Sequence, residues 1–140
     1  MSFLLKIDPA ALEGSTATVP RMKSAKLDAS DIGARVFIWF EDPQSQKGAL
    51  AATSTLTGFE EIKIAQVRDP SKRKDAYRLM LSDRSTNVSD PLTADDLAPY
   101  RHSEGTSALE TLGRRCHDRN DKIIRLSELE DVELSARFRQ

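Results

Sequence analysis

Apolar positions fall in short runs separated by polar stretches that carry Pro or Gly, and the period of each run predicts its element. Residues 3–7, FLLKI, predict a short strand. Asp8 then supplies a capping carboxylate and Pro9 suits the first helical position, so a helical turn is expected over 9–13, ended by Gly14. Residues 15–26, STATVPRMKSAK, are polar and broken by Pro20, which predicts a long loop. Ordered long loops in small domains are often functional. A turn over 27–33 leads into 34–40, ARVFIWF, the clearest strand in the chain. Side chains alternate across a strand, so Val36, Ile38 and Phe40 share one face and Phe37 and Trp39 the other. Both faces must be covered, or one must line a pocket.

Residues 41–48 read as the polar connection of a hairpin and 49–57 as its second strand. Ala49, Ala51 and Ala52 allow close packing there, and Gly58 is expected to end the strand. Residues 61–67 place Ile62 and Ile64 on one face and Lys63 on the other, a third strand. A basic turn, 68–74, leads to a fourth strand at 76–81 and a loop at 82–91. Thr93 and Asp96 predict a capped helical turn over 93–97. Ser107 and Glu110 open a helix over 107–117 with Leu109, Leu112 and Cys116 on one face. Residues 122–126, KIIRL, predict a last strand. Ser127 and Glu130 cap a terminal helix over 128–137, whose apolar spacing is Leu129, Val132 and Ala136.

Strands that follow one another without intervening helices favour antiparallel pairing. The expected fold class is α+β, a mostly antiparallel, curved pseudo-barrel sheet with short peripheral helices; an open α+β sandwich is the second choice. The 140 residues suit a single domain, 1–140.

Hydrophobic residues make up 39% and charged residues 31%, which excludes a disordered composition. A net charge of -1 gives no global basic field, so affinity for a polyanion must come from a local face. Residues 63–84 carry Lys63, Arg68, Lys72, Arg73, Lys74, Arg78 and Arg84, whereas the charges of 85–100 are all acidic. The lone Cys116 allows no internal disulfide, and the start of the chain has neither a positive n-region nor a cleavage site. No apolar run approaches the ~20 residues of a membrane span. A cytoplasmic protein without membrane contact is expected.

Catalytic and metal chemistry are not visible. His102 and His117 are the two histidines, and Cys116 and His117 diverge by ~100° on a helix, so no metal site is expected. The P-loop, G-x-G-x-x-G and G-x-S-x-G patterns are missing. Asp95-Asp96 and Glu60-Glu61 read as solvated pairs rather than proton-sharing dyads. No catalytic residue, cofactor or enzyme activity is expected.

Three features suit binding. Arg68, Lys72, Arg73 and Lys74 form either a solvated hairpin tip or a phosphate clamp. Arg21, Lys23 and Lys26 punctuate the loop before the tryptophan strand. Trp39 is either core or a stacking wall for a flat ligand.

The segment DIGARVFIWFED followed by GALAATSTLTGF, with the tail ALETLGRRCHDRNDKIIRLSELE, resembles the EVE domain of the PUA-like superfamily. Lys6, Asp8 and Pro9 echo that family's opening, and Gly33-Ala34 stands where Gly-Asp is usual. The resemblance implies a pseudo-barrel with a concave pocket for a flipped or modified base. By position it implies Arg21, Lys23, Ser24, Trp39 and Phe40 as pocket residues, with Lys26, Arg68, Lys72, Arg73 and Lys74 reading as phosphate contacts. The leading expectation is a non-catalytic module that binds RNA or DNA and takes an unpaired or modified base beside Trp39. The alternatives are a protein-interaction domain of a bacterial complex and an enzyme acting on a nucleoside-like small molecule.

Overall fold

The computed structural model describes residues 1–41, 48–66, 68–117 and 120–138. Seven strands form one sheet: β1 (Ser2–Ile7), β2 (Leu12–Glu13), β3 (Thr16–Pro20), β4 (Arg35–Glu41), β5 (Gly48–Ala65), β6 (Arg73–Ser85) and β7 (Lys122–Arg125). Their order is β2-β3-β6-β5-β4-β1-β7. Three short helices, α1 (Ala94–Leu97), α2 (Ala108–Arg115) and α3 (Glu128–Ser135), complete the fold. The architecture is the expected mostly antiparallel α+β sheet. One pair departs from it: β1 and β4 are parallel, with Phe3 opposite Val36 and Leu5 opposite Ile38. The chain reaches that register through β2 and β3, which act as the crossover that a parallel pair requires.

β4 is covered on both faces. Val36 and Ile38 pack with Phe3, Leu5, Ile7 and Leu79 inside the curved sheet. Phe37 and Trp39 pack with Leu92, Leu97, Leu112 and Leu134 beneath the helices. The continuous apolar run of β4 is thus the signature of a strand sandwiched between two cores.

β5 bulges opposite β4 at Ala51, where no break was expected, and opposite β6 beside Gly58, where one was. Ile38 faces Ala52 but Trp39 faces Leu50, so Ala51 is an extra residue. This shift puts Ala52 in the inner core and Leu50 in the helix-side core. At Gly58 the strand does not stop. Leu56 faces Leu81 and Gly58 faces Met80, so the chain bulges at Thr57 and runs on to Ala65. The third predicted strand is the outer half of β5, and β6 is likewise longer than 76–81. The hairpin connection expected at 41–48 lies mostly outside the described residues.

The polar stretch 15–26 is not one loop. Thr16–Pro20 is β3, whose Ala17 and Val19 are buried and which pairs with β6 from Met80 to Ala76. Thr16, Thr18 and Val19 are β-branched, and the two threonines alternate with the buried Ala17 and Val19, a strand signal that the polar surroundings and Pro20 outweighed in the loop reading.

α3 also differs from expectation. Leu129 and Val132 are each 63% exposed, while Glu130 and Leu134 face inward. Glu130 accepts from its own cap at Ser127 N (2.9 Å), from Thr111 Oγ1 (3.0 Å) and from Arg115 Nη1 (2.6 Å). These bonds turn the carboxylate toward α2, and Leu134, four residues on, follows it inward. Among the described residues no helix is long and apolar enough to cross a membrane.

Candidate functional site

The segment after β3 closes the curved sheet. β7 is an edge strand whose second side would otherwise lack partners. Ala25 N donates to Ile123 O (2.8 Å), and Ile123 N donates to Ser24 Oγ (3.2 Å). Ser24 Oγ in turn donates to Pro20 O (2.6 Å). The Ser24 amide donates to Arg21 O (3.0 Å), forming a tight turn in which Lys23 adopts φ 65°. A lysine in the left-handed region costs about 1–3 kcal/mol and persists only where its surroundings enforce it. Here the bonds on both sides of Lys23 do so.

A cleft of about 400 Å³ opens beside this turn. Arg21, Lys26 and Lys74 bring three cations to it, and Ser24, Asp75 and Tyr77 complete its polar lining. The Arg21 guanidinium lies over the Tyr77 ring, 5.2 Å from the centroid, and its Nη1 is 3.4 Å from Glu61 Oε1. Tyr77 itself is buried, and its hydroxyl accepts from Leu27 N (3.1 Å). The ring is therefore a fixed support under a cation that is 33% exposed. Asp75 accepts from Lys63 Nζ (2.8 Å), and this bond holds its carboxyl below the usual carboxylate range.

Two further depressions share the turn. One, of about 260 Å³, is bordered by Met22, Lys23, Lys74, Asn120 and Asp121. Burial pushes the Asp121 carboxyl above its ordinary value, against the opposing effect of its bond from Asp8 N. The other, of about 530 Å³, gathers Lys23, Arg114, Arg115, Lys122 and Arg125. Ser24 and Ala25 border both this groove and the first cleft.

The structure brings together Arg21, Ser24, Lys26 and Lys74, and places Lys23 on the same turn. It corrects the role of Trp39. The indole is 1% exposed, and its Nε1 donates to Glu41 Oε1 (2.9 Å). A Cβ built on Gly48 would lie 2.4 Å from that nitrogen, so backbone closes the last approach. Trp39 therefore offers no face to a planar guest: a long apolar strand under two cores leaves its largest side chain inside. Phe40 is also corrected, since it packs against the inner core and borders none of the three depressions. Arg68, Lys72 and Arg73 lie toward the β5–β6 turn and border none of them either; Lys72 is 4.0 Å from Asp69.

Arg114, Arg115, Lys122 and Arg125 were missed by sequence reasoning. Each sits on a segment with another evident purpose, a helix end or a strand, and they converge only in three dimensions. Glu41 accepts from Trp39 and lies 3.4 Å from the buried Lys6 Nζ, which leaves it committed to the core.

No protein-family model matches the chain, and no curated protein sequence matches it. Solved structures do. The crystal structure of ASCH from Zymomonas mobilis superimposes with a TM-score of 0.60 at 12% identity, covering 99% of this chain and 96% of that one. The DUF55 domain of human thymocyte nuclear protein 1 superimposes with a TM-score of 0.53 at 11% identity, covering 98% of each chain. The chain therefore shares its architecture with these two domains; at these identities the likeness extends to architecture alone.

Proposed function

We propose that this chain is a non-catalytic nucleic-acid-binding module that holds an unpaired base in the cleft beside the 21–26 turn. The reading follows from one observation: the Arg21 guanidinium is supported from below by the buried Tyr77 ring at the wall of a cleft that also carries Lys26 and Lys74. Nucleic-acid bases stack on guanidinium planes as they do on aromatic rings. Lysines beside such a plane supply sequence-blind attraction for the flanking phosphates. The resemblance to the PUA-like superfamily supports the reading without carrying it.

The proposed platform is Arg21, where the sequence favoured Trp39. Arg21→Ala removes the stacking plane and one cation. Loss of a stacked base costs about 1–3 kcal/mol, so affinity for a labelled single-stranded oligonucleotide should fall roughly 5- to 150-fold. Fluorescence anisotropy at low salt measures it. Wild-type protein that ignores every RNA and DNA oligonucleotide, modified or not, removes the reading.

A specific observation favours a second reading, that of a protein-contact domain. Leu129 and Val132 put two large apolar side chains on the outer face of α3. Stable self-association that Leu129→Gln abolishes, in a chain that binds no oligonucleotide, would favour it.

A further inference from the structure

The 530 Å³ groove holds a concentration of charge that base stacking at Arg21 does not use. Among the described residues five cations border it and no carboxylate does, whereas the two smaller depressions each include an aspartate. The cations are held in place by the fold. Arg115 pairs with Glu130 (2.6 Å) and Arg125 with Asp31 (2.8 Å), both carboxylates being buried. Arg114 donates instead to the backbone carbonyls of Ser103 (2.7 Å) and Gly105 (2.6 Å), which orient its guanidinium without neutralising it. Lys122 Nζ donates to Arg115 O (2.5 Å). Arg115 and Arg125 are thus balanced by buried carboxylates, while the groove still gathers more cationic than anionic groups on a chain whose net charge is -1, which favours a ligand with repeated negative charge.

We infer that this groove is the backbone track of a single strand whose base occupies the Arg21 cleft. The inference rests on the proposed function and adds the class of nucleic acid and its path. Ser24 and Ala25 border both concavities, so a chain leaving the cleft passes directly over them into the groove. A base on Arg21 must be unpaired to reach it. The strand must also turn at Ser24 and Ala25 from the cleft into the groove. A duplex, stiff over ~150 base pairs, does not follow such a path without a large deformation energy, while a single strand does. The groove is lined by charge rather than by aromatic rings, which fits phosphates more than bases.

The test compares a dinucleotide, an octanucleotide and a blunt duplex of the octamer length by anisotropy, in wild type and in Lys23→Gln and Arg114→Gln. Glutamine at 114 keeps a donor for the loop carbonyls while removing the charge. Lys23→Gln serves as the second variant, and thermal melting reports whether each is folded. The wild type should bind the octanucleotide at least tenfold more tightly than the dinucleotide, and the duplex weakly. In each variant that length ratio should shrink, and the slope of log affinity against log salt should fall by about 0.7 for each phosphate that is no longer neutralised. Equal affinity for both lengths overturns the groove while leaving the base cleft standing. So do a duplex bound as tightly as the single strand, variants with unchanged ratio and slope, or polyglutamate competing as well as the octamer at equal charge. Failure of the wild type to bind any of these overturns both readings.

Discussion

Trp39 is sealed in the core, whereas Arg21 stands at the wall of an open cleft. An indole in a seven-residue strand has ample apolar surface, and here burial claims all of it, with Glu41 accepting its one polar hydrogen. Intrinsic fluorescence should accordingly be blue-shifted and resistant to iodide, and unchanged by oligonucleotide at saturating binding. Trp39→Ala should cost about 3–5 kcal/mol of stability in denaturant titration. Arg21 lies on a polar turn that no hydrophobic pattern marks, yet Tyr77 gives it a rigid base. Asp31 shows a related use of charge. It is buried, accepts from Asp28 N (2.9 Å) in the capping box of the 3-10 turn Ala29–Asp31, and accepts from Nη1 and Nη2 of Arg125 (2.8 and 3.2 Å). The bond from Arg125 lowers its carboxyl below the ordinary 3.8. A carboxyl whose folded value lies below its unfolded one contributes stability above the unfolded value and loses it as pH falls through the folded one. Asp31→Asn should therefore be less stable at neutral pH and show a shallower loss of stability on acidification below about pH 4, measured by urea unfolding across pH.

At the scale of elements, local signals and tertiary demands separate cleanly. The capping boxes at Thr93 and Ser127 were legible because a hydroxyl and a carboxylate three residues apart act within one turn. The cap at Ser107 was legible for the same reason. β1, β4 and β7 were legible because burial on both faces demands continuous apolar runs. β3 was not, because its short Thr-Ala-Thr-Val alternation sits in a polar stretch broken by Pro20 and pairs mainly with the distant β6. The inward face of α3 was also hidden: spacing favoured Leu129 and Val132, but the bonds made by Glu130 to α2 set the rotation. Leu134→Ala should then cost about 2–5 kcal/mol, whereas Leu129→Gln should stay within about 0.5 kcal/mol, both by chemical denaturation.

For the whole molecule, a near-neutral chain acquires a cationic face because its sheet closes through the 21–26 turn. Closure draws cations from residues 21–26, 74, 114–115 and 122–125 around one short segment. Asp121 is the opposing charge in the depression it shares with Lys23 and Lys74. Since burial raises its carboxyl value, it protonates at higher pH than an ordinary aspartate, and the depression becomes more positive as pH falls. Oligonucleotide affinity should rise on acidification, and Asp121→Asn should remove that part of the pH dependence, which anisotropy at constant ionic strength reads directly.

The amino-acid sequence alone determined the class of fold, the doubly buried strand, the helix starts and the presence of cations in the turn before β4. Those features arise from interactions between residues a few positions apart, or from the bare requirement that apolar surface be covered. Only the tertiary structure decided which aromatic supports the site, which face of α3 is outward and which arginines share a groove. These depend on side chains from distant segments meeting as the sheet curls shut, and one-dimensional periodicity carries no record of that meeting.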